Sequence, residues 1–215
     1  MKKAFLMLLC LIIVGVVVAQ TETPHGFLMP VKMNVFYIGV DNPVQLQACG
    51  AALSDLEVEA QGGTLTKQSE GVYTVKVEAT GRCKLSVYVK QGDKRKLVQE
   101  QEFRCKQLPS PYAALGGMLR NGKATAEKII GLKSVVPMLE NFDFEANFMV
   151  KSFTMLVISN GKTQKAETKG NIYSKEMKTM LENARSGDLV IVKDIVVEWP
   201  DKSSKEISAL VVMVE

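Results

Sequence analysis

Residues 73–89 read Tyr-Thr-Val-Lys-Val-Glu-Ala-Thr-Gly-Arg-Cys-Lys-Leu-Ser-Val-Tyr-Val. Tyr73, Val75 and Val77 alternate with polar residues, Thr80-Gly81 supplies a turn, and Leu85, Val87 and Val89 alternate again. Successive side chains of a strand point to opposite faces, so this spacing predicts two strands that each bury one face. Working outward, Val31-Met33-Val35-Tyr37, Val44-Leu46-Ala48, Leu56-Val58-Ala60 and the Phe103–Cys105 stretch repeat the pattern, with a further short strand around Leu65. Gly62-Gly63, Glu70-Gly71 and Gly92-Asp93 provide the turns. Short strands at intervals of about 8–12 residues indicate an antiparallel sandwich of immunoglobulin-like type. The Cys…Trp…Cys spacing of antibody domains is absent.

The chain then changes character. Residues 108–123, LPSPYAALGGMLRNGK, hold two prolines and three glycines without steady periodicity, which reads as a connection. Beyond it Phe142, Phe144, Ala146, Phe148 and Val150 alternate with polar residues, predicting a half-buried strand. The apolar set then moves to Phe153, Met155 and Val157, and one inserted residue near Ser152 accounts for the change of phase. Asn160-Gly161 is a two-residue hairpin signal joining Thr154–Ser159 to Lys162–Thr168. Ser174 is a candidate cap for a helix over Lys175–Ala184, with Met177, Met180, Leu181 and Ala184 as its apolar stripe and Gly187 at its end. Strands at Leu189–Val197 and Ile207–Val214, joined by a turn at Pro200–Ser203, complete the half, and a shorter helix fits Ala124–Leu132. The expected fold class is mainly β: an immunoglobulin-like β-sandwich over residues 29–108, a linker over 109–123, and a β-rich α+β domain with one clear helix over 124–215.

Lys2 and Lys3 precede an apolar run from Ala4 to Val18, and Val17-Val18-Ala19 offers small residues for cleavage. The run is shorter than the roughly 20 residues of a membrane span, so residues 1–19 read as a signal peptide and 20–28 as an N-terminal tail. The alternative is an uncleaved anchor. Export places Cys49, Cys83 and Cys105 where disulfides are permitted. Cys83 and Cys105 lie symmetrically about position 94, the apparent centre of the turn between their strands, so they are a candidate disulfide or thiol pair, with Cys49 unpaired or intermolecular.

The 215 residues carry 27 Lys plus Arg against 23 Asp plus Glu, interspersed along the chain, which argues against nucleic acid as a partner. One histidine, His25, excludes Ser-His-Asp triads, Cys-His dyads within the core and multi-histidine zinc sites. No phosphate loop, dinucleotide fingerprint or CxxC occurs, so no catalytic, cofactor-binding or metal-binding residues are assigned and no cofactor is expected. Asp143 with Glu145 reads as a solvated strand face rather than an acid–base pair, and Asp41-Asn42-Pro43 as a turn rather than a calcium site. His25 falls in the tail. Trp199 has two readings, core or hairpin packing and an exposed protein contact.

Tyr37-Ile38-Gly39-Val40-Asp41-Asn42-Pro43, then Gly116-Gly117, then Leu139-Glu140-Asn141-Phe142-Asp143-Phe144 resemble, in that order, the C-terminal periplasmic region of the GldM (PorM) family, the shaft of the Bacteroidetes gliding and type IX secretion machinery. The resemblance runs from about Met29 to the C-terminus. It implies tandem β-rich periplasmic domains without a catalytic role, which dimerise and contact other envelope components. Full-length family members begin with a transmembrane helix and further domains, whereas this sequence is expected to begin at the penultimate domain and so not to transmit motor motion. Two functions follow as expectations. One is a non-enzymatic envelope protein acting by self-association, as a homodimer, or by binding secretion or gliding proteins, with no small-molecule substrate and no stable membrane span after cleavage. The other is a periplasmic or surface module binding a polysaccharide or peptide, which the scarcity of Trp and Tyr disfavours.

Overall fold

The computed structural model describes residues 25–31 and 33–215. The predicted signal peptide and the first part of the tail lie outside these. In the first half, strands β1 (His25–Pro30), β3 (Asn42–Cys49), β6 (Val72–Lys76) and β5 (Thr64–Ser69) form one sheet in that order. Strands β2 (Val35–Tyr37), β8 (Lys94–Lys106), β7 (Gly81–Gln91) and β4 (Leu56–Gln61) form the other. The alternation sets what lies between them. Leu28, Val44, Leu46, Tyr73 and Val75 from the first sheet meet Phe36, Leu56, Leu85, Val87 and Phe103 from the second. Phe36 and Phe103 stack with ring centroids 4.1 Å apart at the centre. Removing such side chains from water is the main favourable contribution to the sandwich.

Two expectations for this half need correction. Residues 25–28 of the expected tail belong to strand β1, which pairs with β3 through all six of its residues. Val31–Tyr37 is not one strand. The chain leaves the first sheet at Pro30 and enters the second at Val35, where β2 runs parallel to β8. Proline has no N–H for a ladder, so it suits the end of an edge strand. Alternation shows which residues face inward, and it does not say which of two facing sheets a strand joins.

The second half is built on a sheet ordered β10 (Gly122–Ala124), β16 (Leu210–Val214), β14 (Leu189–Glu198), β12 (Met149–Ser159), β13 (Lys162–Lys169), with β15 (Ser204–Ile207) also on β14. A separate ribbon pairs β9 (Tyr112–Leu115) with β11 (Val135–Met138). Helices α1 (Ala126–Leu132) and α2 (Lys175–Glu182) supply Ile129, Met177, Met180 and Leu181 to a core shared with Phe153, Met155, Val190 and Val192. Thr125 and Ser174 cap them, their hydroxyls accepting from Lys128 N and Met177 N. Asn160 (φ 48°) and Gly161 (φ 73°) form the expected tight hairpin turn. The register of β12 on β14 slips on both sides of Ser152, as the change of apolar phase required.

Four elements differ from expectation. The linker over 109–123 carries β9 and the start of β10, and Ala113, Ala114 and Leu115 are buried, so most of it belongs to the second domain. Helix α2 ends at Asn183, whose N–H returns to Thr179 O and Leu181 O. Gly187 lies beyond and donates instead to Val214 O. Ile207–Val214 is interrupted at residues 208–209, where β15 gives way to β16 opposite Asp194 (φ 51°). Only Met149 and Val150 of the predicted Phe142–Val150 strand are in a ladder. Among the described residues no helix is long and apolar enough to cross a membrane.

Candidate functional site: the junction between the domains

Asn42 organises the turn after β2. Its side-chain carbonyl accepts from Tyr37 N at 2.8 Å, and its amide donates to Tyr37 O, Val40 O and Val75 O. It is 1% exposed. A buried amide so fully bonded ties the turn to β6, and leaving such groups unmade costs about 1–3 kcal/mol each. The turn reading of Asp41-Asn42-Pro43 therefore holds for Asn42, whose side chain bonds backbone groups, while exposed Asp41 pairs with the Lys76 side chain at 3.4 Å.

The loop so held presents Tyr37, Gly39 and Val40 to the second domain. Tyr37 meets Phe142 and Phe144 edge-on, with centroids 5.0 and 5.1 Å away. Val40, Leu108 and Trp199 form a small buried cluster, against which Ala146 and Phe148 also pack. Phe148 meets the indole of Trp199 edge-on at 5.2 Å, and Lys205 Nζ lies 4.4 Å from its centre. Segment 142–148 thus alternates buried and exposed as the sequence suggested, but its apolar side faces this junction and not a sheet. Trp199 is 6% exposed and its Nε1 has no hydrogen-bond partner among the described residues. Packing is the correct reading of it, at a domain boundary.

Gly39 (φ 80°) is seated on the turn between β14 and β15. A Cβ placed there would lie 2.8 Å from Asp201 N and 3.1 Å from Pro200 C. The turn is closed by Trp199 N donating to Ser203 O and Lys202 N donating to Trp199 O. Asp201 Oδ1 accepts from Ser203 N at 2.9 Å and from Ser203 Oγ at 2.6 Å, which holds the carboxyl below the usual carboxylate range. Glu198, at the start of the turn, is lowered likewise by Lys151 at 2.7 Å. Two clefts flank the seat. One of about 480 Å³ is lined by Asp41, Pro43, Glu145, Asn147 and Lys202, the other of about 540 Å³ by Lys76, Glu78, Gln107 and Asp201.

The structure brings together Tyr37, Gly39, Phe142 and Phe144, which the sequence had singled out as motif residues, with Asn42 and Pro43 behind them. Gly116 and Gly117 lie elsewhere, in the turn after β9. Gly116 (φ 58°) donates to Ser134 O and has no room for a side chain against Leu132. Glu140 pairs with Arg120 at 3.7 Å, Leu139 is half-buried, and Asn141 adopts φ 51°. Trp199, Pro200, Asp201 and Lys205 complete the junction, and nothing local in the sequence ties them to Gly39.

The direct pairing of Cys83 with Cys105 is corrected by the register. Cys83 stands opposite Phe103, and Cys105 opposite Gly81. The hairpin turns at Gly92-Asp93, not about position 94, and although a bulge between Val87 and Tyr88 returns one residue of that difference, Cys83 still falls two residues short of Cys105. The two buried thiols are diagonal neighbours, both free, as is exposed Cys49. Burial, and secondarily Cys105, pushes the Cys83 thiol up to about 11. No group of three or more His, Cys, Asp or Glu among the described residues is arranged to hold a metal ion.

Fold and junction together define a two-domain, mainly β protein in which an immunoglobulin-like sandwich is docked on a β-rich α+β domain. The chain belongs to the GldM family: residues 28–106 match the GldM third domain and residues 108–215 the GldM C-terminal domain. No curated protein matches it. Similar solved structures include the FN1–FN3 domains of chicken CNTN1 (9% identity, 89% of this chain and 66% of that one, TM-score 0.28). Another is the Bacteroides ovatus mixed-linkage glucan utilization locus protein SGBP-B in complex with a mixed-linkage heptasaccharide (10%, 85% and 43%, 0.24). A third is domains 6–7 of the surface-layer protein SbsC (9%, 88% and 98%, 0.28). The chain spans less than two thirds of the first two.

Proposed function

We propose that this is a non-enzymatic exported protein of the Gram-negative cell envelope, which acts by association with itself or with other envelope proteins of the gliding and type IX secretion machinery. The match to two consecutive GldM domains over residues 28–215 carries this reading. In it the signal peptide is removed after Ala19, the mature chain is periplasmic without a membrane span, and it forms a homodimer or a stable complex burying at least about 1,000 Å². The composition supports a role without catalysis, since the single histidine lies at the start of edge strand β1 and is none of the residues that build the junction. Light scattering of the purified mature chain, with affinity capture from native envelopes and mass spectrometry, tests it. A dimer, or enrichment of secretion or gliding proteins, is expected. A monomer at high concentration that recovers none of them overturns the reading.

A further inference from the structure

We propose that the junction is a rigid coupling that holds the two domains at one fixed angle, with Gly39 seated on the Pro200–Ser203 turn and Asp201 shaping that seat. Four independent features meet there. The first is the approach of Gly39 to main-chain atoms of Pro200 and Asp201. Backbone cannot swing aside as a side-chain tip can, so the two domains touch along rigid surfaces. The second is the turn itself, whose main-chain bonds and two Asp201–Ser203 bonds leave it one shape. The third is the apolar filling by Trp199, Val40 and Leu108, ringed by Tyr37 and Phe142, which water must enter before the domains can part. The fourth is a strap: Lys205 lies on the Trp199 indole and donates to Gln107 Oε1 at 3.4 Å, joining β15 to the segment that leaves β8.

The connection itself adds no slack. Strand β8 ends at Lys106 and β9 begins at Tyr112, and between them Leu108 is buried while Pro109 and Pro111 restrict the backbone. Domains joined by a small polar interface normally move relative to one another. Here the contact is aromatic, close-packed and built around a glycine, so the two domains tumble as one body. Surfaces on the two domains are thereby presented to a partner at a constant relative orientation, and a load applied to one domain passes to the other.

Nitrogen-15 relaxation of the full mature chain, supported by small-angle scattering, tests the coupling. The wild type is expected to give one rotational correlation time for both domains and a scattering curve that a single conformation fits. Gly39→Val is expected to separate the correlation times, lengthen the maximum dimension and open residues 107–112 to protease. Asp201→Ala, which leaves the seat uncrowded and disturbs only the turn, is expected to do the same to a smaller extent while both domains stay folded. Lys162→Ala, on the far edge strand β13, is the control. Two distinct correlation times in the wild type overturn the proposal, as does an unchanged common value in both Gly39→Val and Asp201→Ala.

Discussion

Leu85–Val89 and Phe142–Phe148 carry the same alternation of apolar and polar residues, and the protein uses it in two ways. The first lies in the middle of a sheet, with β4 on one side and β8 on the other, so its backbone is bonded on both edges. The second lies along the domain boundary outside any strand, with a bend at Phe144, held by its aromatic side chains against Tyr37 and Trp199. Period 2 therefore reports that alternate side chains lie against apolar surface. Whether a hydrogen-bonded ladder accompanies it depends on a partner strand, which the segment's own residues do not specify.

The comparison can be broken most severely by side-chain truncation. Phe103→Ala empties a fully buried site in the hairpin and is expected to cost about 3–5 kcal/mol, whereas Phe142→Ala removes a half-buried ring and costs about 1 kcal/mol. Urea denaturation followed for each domain separately measures both, and equal losses would make the junction as tightly packed as the sandwich. Amide exchange sharpens the contrast at the level of backbone. Leu85 and Val87 amides are expected to exchange only on unfolding of the sandwich, and those of Glu145, Ala146 and Asn147, which join no ladder, far sooner. Comparable protection in the two segments contradicts the difference.

The smallest effects are those of pH, and they have opposite signs in the two regions. At the junction the Asp201 pKa is lowered in the folded state, so the stability its charged form contributes is present above about pH 4 and lost as pH falls through the folded value. In the hairpin Cys83 is raised from about 9 to about 11, so the contribution of its neutral thiol is full below about pH 9 and lost as pH rises through about 11. Trp199 is the one tryptophan of the chain and reports the junction by fluorescence. Acid is expected to shift its emission before the sandwich melts, and Asp201→Asn to weaken that shift. Alkali is expected to destabilise the sandwich less in Cys83→Ala than in the wild type, each compared with its own stability at neutral pH.

Local reading worked where local chemistry suffices. The inward faces of β3, β6, β7 and β12, the Asn160-Gly161 turn, the Ser174 cap, the irregularity at Ser152 and the Asn42 turn all depend on residues within a few positions of one another. The sequence by itself determined these, along with a mainly β fold in two parts, because strand alternation, caps and turns are properties of neighbouring residues. Only the tertiary structure decided that the chain switches sheets between Pro30 and Val35, that Cys83 faces Phe103, and that the presumed linker is a strand of the second domain. It alone brought Gly39 against Pro200 and Asp201 and set Phe142–Phe148 along the boundary. Each of these depends on which distant surfaces meet, and burial against a distant partner leaves the same alternating signature whether that partner is a sheet, a second sheet or another domain.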